Sequence, residues 1–407
     1  MQHRLFDAVV VGAGPSGATC ALHLEHMGYE VVLLDKTSFP REKICGDGLT
    51  GHVLFELNKL GLLDDFFALE NKNAIVGGRL YAPNGKYVDF RDVLGNQFNN
   101  DFCYIMKRGL FDNFLVEKIR EKDRIHFVEN FKIEEAVIEE NWATVKGKKA
   151  TFKARVLIAA DGASSLLSRR LLKYKPDPGK MFVTAQAYYR GVEPIYENDM
   201  VEAFCAREIL PGYFWIFPES DNIFNVGLGV IADVARKKKI NPVKILDELI
   251  EKYDFLSKRF AGAEKITNNR GGLIPFDTCT RKISGERFLL LGDAASITNP
   301  VTGEGIGYGM NSGRIAAHHL KNCFESKDFS AANMRQYDQA VAVKFRKTLK
   351  RTMHLQKIIR FPAFINRIAG NISKNDNLHR KIEQILANRK KYQEIYNPLF
   401  YYRIFFG

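Results

Sequence analysis

The segment Phe6-Asp-Ala-Val-Val-Val-Gly-Ala-Gly-Pro-Ser-Gly17 decides the fold of this chain. Its apolar first half, Phe6–Val11, predicts a buried parallel strand, and the glycines that follow predict a tight turn opening a helix over Ala18–Met27. In a turn of this kind the first glycine permits the bend, the second lets the backbone approach a phosphate group, and the third lets the helix pack closely on the strand. The spacing therefore predicts a dinucleotide-binding loop.

A second strand and an acidic residue complete this unit. Gly28 ends the helix, and the apolar run Tyr29–Leu34 predicts a strand that leads to Asp35. A carboxylate at this place can accept hydrogen bonds from ribose hydroxyls, and it repels the 2′-phosphate of NADP. The residues predicted to bind the adenosine diphosphate half of a cofactor are Gly12, Gly14, Pro15, Ser16, Gly17, Asp35 and Lys36.

Composition limits the remaining possibilities. The 407 residues predict two or three structural units, and the 46% hydrophobic and 26% charged residues are ordinary for a globular protein. No run of about 18 apolar residues predicts a membrane-spanning helix, and a strand-like run begins too early for a signal peptide to precede it. The six cysteines form no C-x-x-C pair, so we expect a reduced, cytoplasmic protein without a metal site.

The remaining segments predict a second domain inserted into the first. Helical patterns occur at His52–Leu60 and Gly109–Glu121, and Gly78–Phe90 predicts a hairpin. Alternating strands over Phe182–Ile231 predict an antiparallel sheet, and the chain is helical and basic from Ala331 onward. The predicted division is a nucleotide-binding domain of 1–75, 106–180 and 276–330, a substrate domain of 76–105 and 181–275, and a C-terminal helical region of 331–407.

Two later segments point to FAD. Arg155-Val-Leu-Ile-Ala-Ala-Asp-Gly-Ala-Ser-Ser165 resembles the "DG" motif of the flavoprotein group that includes the aromatic hydroxylases, and Phe288-Leu-Leu-Leu-Gly-Asp-Ala-Ala295 resembles their "GD" motif. The resemblance implies an α/β FAD-binding domain of the glutathione-reductase and aromatic-hydroxylase type. It also implies that the second aspartate binds the ribityl chain of the flavin. The glycine-rich start of the next helix would face the flavin ring with its backbone N–H groups. The residues concerned are Asp161, Gly292, Asp293, Gly303, Gly305 and Ile306.

Arg108 stands where that flavoprotein group has an arginine near the cofactor. The alternative is a local ion pair with Asp112 at the start of the same predicted helix. The sequence leaves both interpretations open.

Two further motifs resemble those of the geranylgeranyl reductases. They are the Cys45-Gly46 loop and the strand Pro211-Gly-Tyr-Phe-Trp-Ile-Phe-Pro218. The resemblance implies that the strand lines the substrate cavity beside the flavin and that Cys45 and Gly46 lie near the cofactor. Because side chains alternate along a strand, Tyr213, Trp215 and Phe217 share one face, which suits a long apolar substrate or simple core packing. Glu219 and Glu304 depart from the family pattern, in which lysine and glycine are common at these places.

These motifs predict the function. We expect hydride transfer from reduced flavin to a carbon–carbon double bond of an isoprenoid or another small apolar or lipid-like substrate. The predicted catalytic residues are Cys45, Tyr213 and Trp215, with Cys45 either a proton donor or a small side chain beside glycines. NAD(P)H or ferredoxin would supply the electrons. The alternatives are a flavin-dependent monooxygenase (a hydroxylase or halogenase) and a dehydrogenase that passes electrons to a carrier.

The charge of +13 raises the question of an anionic partner. No recognition motif supports nucleic acid. The segment Val341–Arg360 carries seven basic residues and no acid, and Phe345, Leu349, Thr352 and Ile359 fall near one helical face. With the aromatic tail Tyr396–Phe406, this pattern predicts peripheral contact with a membrane. The alternative is that the stripe packs on the nucleotide domain and the charges face water.

Overall fold

The computed structural model describes residues 5–91, 98, 103–387 and 400. The predicted βαβ unit is present: β1 (Leu5–Val11) pairs in parallel with β2 (Val31–Leu34), and α1 (Pro15–His26) connects them. The helix begins at Pro15 rather than at Ala18, since proline suits the first helical position and the loop's last residues join the first turn.

The first large sheet is built around this unit. β1 also pairs in parallel with β11 (Thr151–Ala159), and a long helix, α9 (Ile306–Ser326), packs along α1. The path through the sheet is β18 (Ser284–Gly285), β19 (Phe288–Leu290), β11, β1, β2 and β8 (Ile125–Val128), with β10 (Ala143–Gly147) on β11 and β9 (Ile133–Ile138) on β10.

The second large sheet contains the predicted antiparallel strands and the predicted hairpin. The hairpin turns at Gly85, which has a φ of +80°, and its first strand pairs in parallel with a strand more than 100 residues later. The path is β16 (Glu264–Lys265), β12 (Met181–Arg190), β15 (Ile223–Ile231), β14 (Tyr213–Pro218), β13 (Met200–Phe204), β5 (Gly77–Tyr81) and β6 (Tyr87–Arg91), with β17 (Arg270–Pro275) also on β12.

Shorter elements join the two sheets. A three-stranded sheet has the order β3 (Gly48–Thr50), β7 (Cys103–Ile105), β4 (Asn73–Ile75). Two 3₁₀ turns lie at Pro178–Lys180 and Gly292–Ala295. The other helices before residue 300 are α2 (Gly51–Lys59), α3 (Leu63–Phe67), α4 (Arg108–Arg120), α5 (Leu166–Leu172), α6 (Ala232–Lys238), α7 (Pro242–Lys252) and α8 (Asp254–Phe260).

The C-terminal region forms α10 (Ala331–Ile358), α11 (Pro362–Ile372) and α12 (Asp376–Ala387). The apolar stripe of α10 packs inward: the Phe345 ring lies 5.0 Å from that of Tyr308, and Leu349 is buried in the main core. The stripe therefore packs on the nucleotide domain, as the alternative interpretation predicted, and it is not available to a membrane. The tail Tyr396–Phe406 lies outside the described residues except for Phe400. No helix within the described ranges is both long and apolar enough to span a bilayer.

Candidate active site

A cavity of about 2580 Å³ is lined by residues of both large sheets and of α9, α10 and α11. Cavities that hold one drug-sized molecule are typically about 300–1,000 Å³. This one has room for a dinucleotide together with a second, elongated molecule. Two parts can be distinguished by their lining: a polar part around the glycine loop, and an apolar part that extends to α10 and α11.

The glycine loop forms one wall of the polar part. A Cβ on Gly12, which has a φ of +105°, would lie 2.2 Å from the carbonyl oxygen of Ala160, and one on Gly17 would lie 1.9 Å from that of Gly12. A Cβ on Gly14 would meet only the Nη2 atom of Arg41, at 3.3 Å. Two glycines thus allow close packing, while the third leaves space for a ligand.

The start of α1 is open to the same space. No side chain caps this helix, its first turn has no acidic residue, and Pro15 and Ser16 line the cavity. Free N–H groups at a helix N-terminus attract anions such as phosphate.

Asp35 ends β2 beside the loop. Its carboxylate accepts 2.9 Å hydrogen bonds from the N–H groups of Ala13 and Thr37, and it lines the cavity with Lys36. Each carboxylate oxygen has two lone pairs, so Asp35 can hold the loop and still accept a ribose hydroxyl.

Arg41 is a cofactor-site candidate that the sequence did not indicate. Its Nη2 atom lies 3.3 Å from Asp112, its Nη1 atom lies 3.9 Å from Asp35, and its Nε atom is buried without a hydrogen-bond partner among the described residues. Since the guanidinium also lies against Gly14, it complements a pyrophosphate at the glycine loop. Its partners come from separate segments, so only the fold brings them together.

Of the residues predicted for the flavin half, Asp161, Asp293, Gly303, Gly305 and Ile306 line the same cavity, whereas Gly292 does not. Asp161 accepts hydrogen bonds from Ser165 Oγ at 2.5 Å and from Leu167 N at 3.1 Å, so it also stabilises the start of α5. Asp293 accepts a long hydrogen bond of 3.5 Å from Thr298. Gly292 precedes Asp293 in the same 3₁₀ turn, and the helix α9 starts beside it with Gly303, Gly305 and Ile306 on the cavity wall.

Glu304, one of the two departures from the family pattern, ties this loop to α2. It accepts hydrogen bonds from Thr50 Oγ1 and, at 2.8 Å, from His52 Nδ1. The negative charge of Glu304 raises the pKa of His52 above its ordinary value. A glycine at this position could not form the link.

Arg108 makes the local ion pair that the sequence allowed. Its Nε and Nη2 atoms donate to Asp112 at 2.8 and 3.0 Å, and the pair is buried. The guanidinium also lies beside the Cys45 thiol. Burial raises the pKa of Cys45, and the Arg108 charge opposes this rise only in part. Cys45 is therefore a thiol rather than a thiolate at neutral pH.

The aromatic strand faces the Cys45 loop. Tyr213, Trp215 and Phe217 share one face of β14, with neighbouring ring centroids 6.0 and 6.1 Å apart. A Cβ on Gly46 would lie 3.3 Å from the Phe217 ring. Trp215 is buried, but all three side chains line the cavity, as does Cys45. The Tyr213 hydroxyl donates a 2.5 Å hydrogen bond to the Thr302 carbonyl in the loop before α9.

A buried polar group lies behind the Cys45 loop. Asp47 is fully buried, and it accepts hydrogen bonds from the Tyr188 hydroxyl at 2.6 Å and from the Asn225 amide at 2.5 Å. Asn225 also donates to the Cys45 carbonyl at 2.7 Å. This arrangement fixes the loop against the second sheet.

The apolar part of the cavity leads away from this junction. It passes the hairpin and β13 and ends under the C-terminal helices, where most of the described lining side chains are apolar and Lys344 and Thr348 are the polar ones from α10. The apolar ones from the helices include Leu355, Ile359, Phe364, Ile365, Ile368 and Ile372.

The residues of the polar part fit FAD, since the open helix start and the half-buried Arg41 guanidinium both suit its diphosphate. Comparison with known proteins agrees: residues 6–209 match the FAD binding domain family, and residues 181–272 match the geranylgeranyl reductase catalytic domain. Digeranylgeranylglycerophospholipid reductase 2 of Methanopyrus kandleri is 32% identical over 361 residues, which cover 87% of this chain and 86% of that protein. The chain belongs to the geranylgeranyl reductase family. It is accordingly an FAD-dependent oxidoreductase.

Two further proteins show how far the likeness extends. The menaquinone reductase of Mycolicibacterium smegmatis is 30% identical over 335 residues, covering 80% of this chain and 78% of that enzyme. A geranylgeranyl bacteriochlorophyll reductase-like protein of Thermoplasma acidophilum has a TM-score of 0.78 at 22% identity, over 91% of this chain and 92% of the other. This structural similarity confirms the fold class that was predicted from the sequence.

Proposed function

We propose that this enzyme reduces carbon–carbon double bonds in the isoprenoid chain of a lipid. The observation that carries the proposal is the meeting of Cys45, Trp215 and Phe217 at the junction between the polar and apolar parts of the cavity. The reductases named above act on substrates that this cavity could accept.

Each group has a separate task in the proposed reaction. The glycine loop, Asp35, Arg41 and Asp293 would hold FAD, which in its reduced form would supply a hydride. The aromatic strand and the apolar part hold the chain and exclude water. The Cys45 thiol gives its proton to the second carbon of the double bond, which its raised pKa allows at neutral pH.

An external donor must reduce the flavin again, and we propose NAD(P)H or ferredoxin. The G-x-G-x-x-G loop that follows a strand, Gly12–Gly17, is assigned by the proposal to FAD, and the second match to this pattern, Gly46–Gly51, does not follow a strand. We also propose that the lipid is taken up at an anionic membrane surface. Phe361, 59% exposed, lies between the basic helix α10 and α11, whose side chains line the apolar part.

The test begins with purified, anaerobically reduced enzyme and two lipids: a digeranylgeranylglycerophospholipid and menaquinone. We expect flavin reoxidation that depends on lipid and a product that gains two hydrogens for each double bond reduced. Mass spectrometry measures this gain. Insertion of oxygen into the substrate under air would instead support a monooxygenase and overturn the proposal.

A further inference from the structure

Behind Cys45, two carboxyl groups are buried next to each other. Asp47 follows the cysteine by two residues, and Glu219 comes directly after the aromatic strand. Asp47 is 0% exposed and Glu219 is 5% exposed. The two side chains interact directly with each other. Two carboxylates repel each other unless a proton lies between them.

The partners of the two groups are unequal. Asp47 receives hydrogen bonds from the Arg108 backbone N–H, from Tyr188 and from Asn225, at 3.1, 2.6 and 2.5 Å. The Oε1 atom of Glu219 is buried and receives no hydrogen bond within the part of the chain that the structure describes. These three donors favour a negative charge on Asp47, although burial raises its pKa. Among the described residues Glu219 has only the Lys107 backbone N–H as a donor, and a proton shared with Asp47 removes the repulsion between the two carboxyl groups.

We propose that Asp47 and Glu219 hold one proton between them and return a proton to Cys45 after each reduction. The inference rests on the donor role proposed for Cys45. Each reduced double bond gains a hydride from the reduced cofactor and a proton from the thiol, which becomes a thiolate. The carboxyl pair then gives its proton to the thiolate, and water restores the proton on the pair after the product leaves.

The surroundings agree with this assignment. The charged and titratable groups that face the pair are Lys107, Arg108, Tyr188 and Cys45. Burial, followed by the charge of Asp47, raises the pKa of Glu219 far above its ordinary value, with Lys107 opposing the rise only in part. Because an apolar substrate would fill the cavity during the reaction, an internal proton source beside Cys45 removes the need for water to enter.

Infrared spectroscopy tests the shared proton without requiring activity. We expect a carboxylic-acid carbonyl band at neutral pH that is lost in Glu219→Gln. The matched control is Glu208→Gln. This change removes a carboxylate that lies away from the cavity and pairs with Lys252 at 2.5 Å, so the band should remain. Glu219→Met serves if Glu219→Gln does not fold with bound FAD. If the difference spectrum between the wild type and Glu219→Gln shows no loss of the carboxylic-acid band, the proposal is overturned.

Kinetics tests the supply role. In pre-reduced Glu219→Gln the first turnover should match the wild type, because Cys45 already carries a proton. Later turnovers with excess reductant should slow by about tenfold or more. Unchanged steady-state turnover overturns the supply role. The donor role of Cys45 is judged separately, since Cys45→Ser should already slow the first turnover.

Discussion

The indole nitrogen of Trp215 donates a 2.9 Å hydrogen bond to the side-chain oxygen of Asn225. The amide of the same asparagine donates to the Cys45 carbonyl and to Asp47. The aromatic wall and the Cys45 loop are therefore held together by one side chain, and changes at Trp215 have two separable effects.

Trp215→Ala should weaken use of the lipid substrate far more than binding of FAD, because it opens the wall while leaving the glycine loop intact. Trp215→Phe keeps most of the apolar surface but leaves the oxygen of Asn225 without its donor, so a smaller loss is expected. Steady-state kinetics and flavin content of both variants provide the measurement. Equal losses of FAD and of activity would contradict the prediction.

Gly14→Val should abolish FAD binding. The valine side chain would occupy the space between the glycine loop and Arg41, where the diphosphate is proposed to bind. Flavin released from the denatured protein is identified by chromatography. The control is Gly262→Val, because Gly262 has open space around its Cβ position and does not line the cavity. Normal FAD content in folded Gly14→Val would refute the assignment.

Cys45→Ser should lower turnover by about 10²-fold, the usual contribution of a general acid. A serine hydroxyl has similar size but holds its proton too tightly. In the wild type, burial raises the pKa of the thiol above its ordinary value of about 8.5, so turnover should persist into alkaline solution and fall only above that value. A pH–rate profile of both proteins is the measurement, and an unchanged rate in Cys45→Ser would favour simple packing.

Glu304→Gln should lower the pKa of His52 towards its ordinary value of about 6.5, since the charge that raises it is removed. Because the folded-state pKa of His52 is raised, its interaction with Glu304 stabilises the folded protein. This stabilisation is complete below about pH 6.5 and is lost as the pH rises through the raised pKa. NMR titration of the histidine ring measures the change. An identical titration curve in the variant would show that Glu304 does not control His52.

The full chain should bind anionic liposomes more strongly at low than at high salt. Replacing Lys347 and Lys350 by glutamate, on the exposed side of α10, should reduce this binding without changing FAD content. Co-sedimentation at two salt concentrations is the measurement, with and without the last dozen residues. Binding that ignores salt, or no binding at all, would leave the basic helix as a hydrated surface.

Local patterns predicted most of the fold. The β1–α1–β2 unit and the hairpin turn at Gly85 follow from strand periodicity and glycine placement, which are properties of neighbouring residues. Membership of the family was predicted from the Cys45 loop and the strand around Trp215. The domain boundaries, the individual site residues and the electron donor remain predictions.

The buried polar network could not be predicted in this way. Asp47 meets Tyr188 and Asn225 because β12 and β15 pair with each other and face a loop that precedes them by more than 100 residues. Sequence likewise showed the apolar stripe of α10 but not which surface would cover it. Both outcomes depend on contacts between segments that are distant in the chain.

The apolar part of the cavity has a consequence for substrates with several double bonds in a row. Most of its described wall under α10 and α11 consists of carbon side chains such as Ile359, Ile365 and Ile372, which offer no hydrogen bond that would anchor a chain at one depth. An isoprenoid chain held by such walls is free to slide by one unit at little cost. Successive double bonds would then reach Cys45 during a single binding event, which would make the enzyme processive, and partly reduced products would report how long the lipid stays bound.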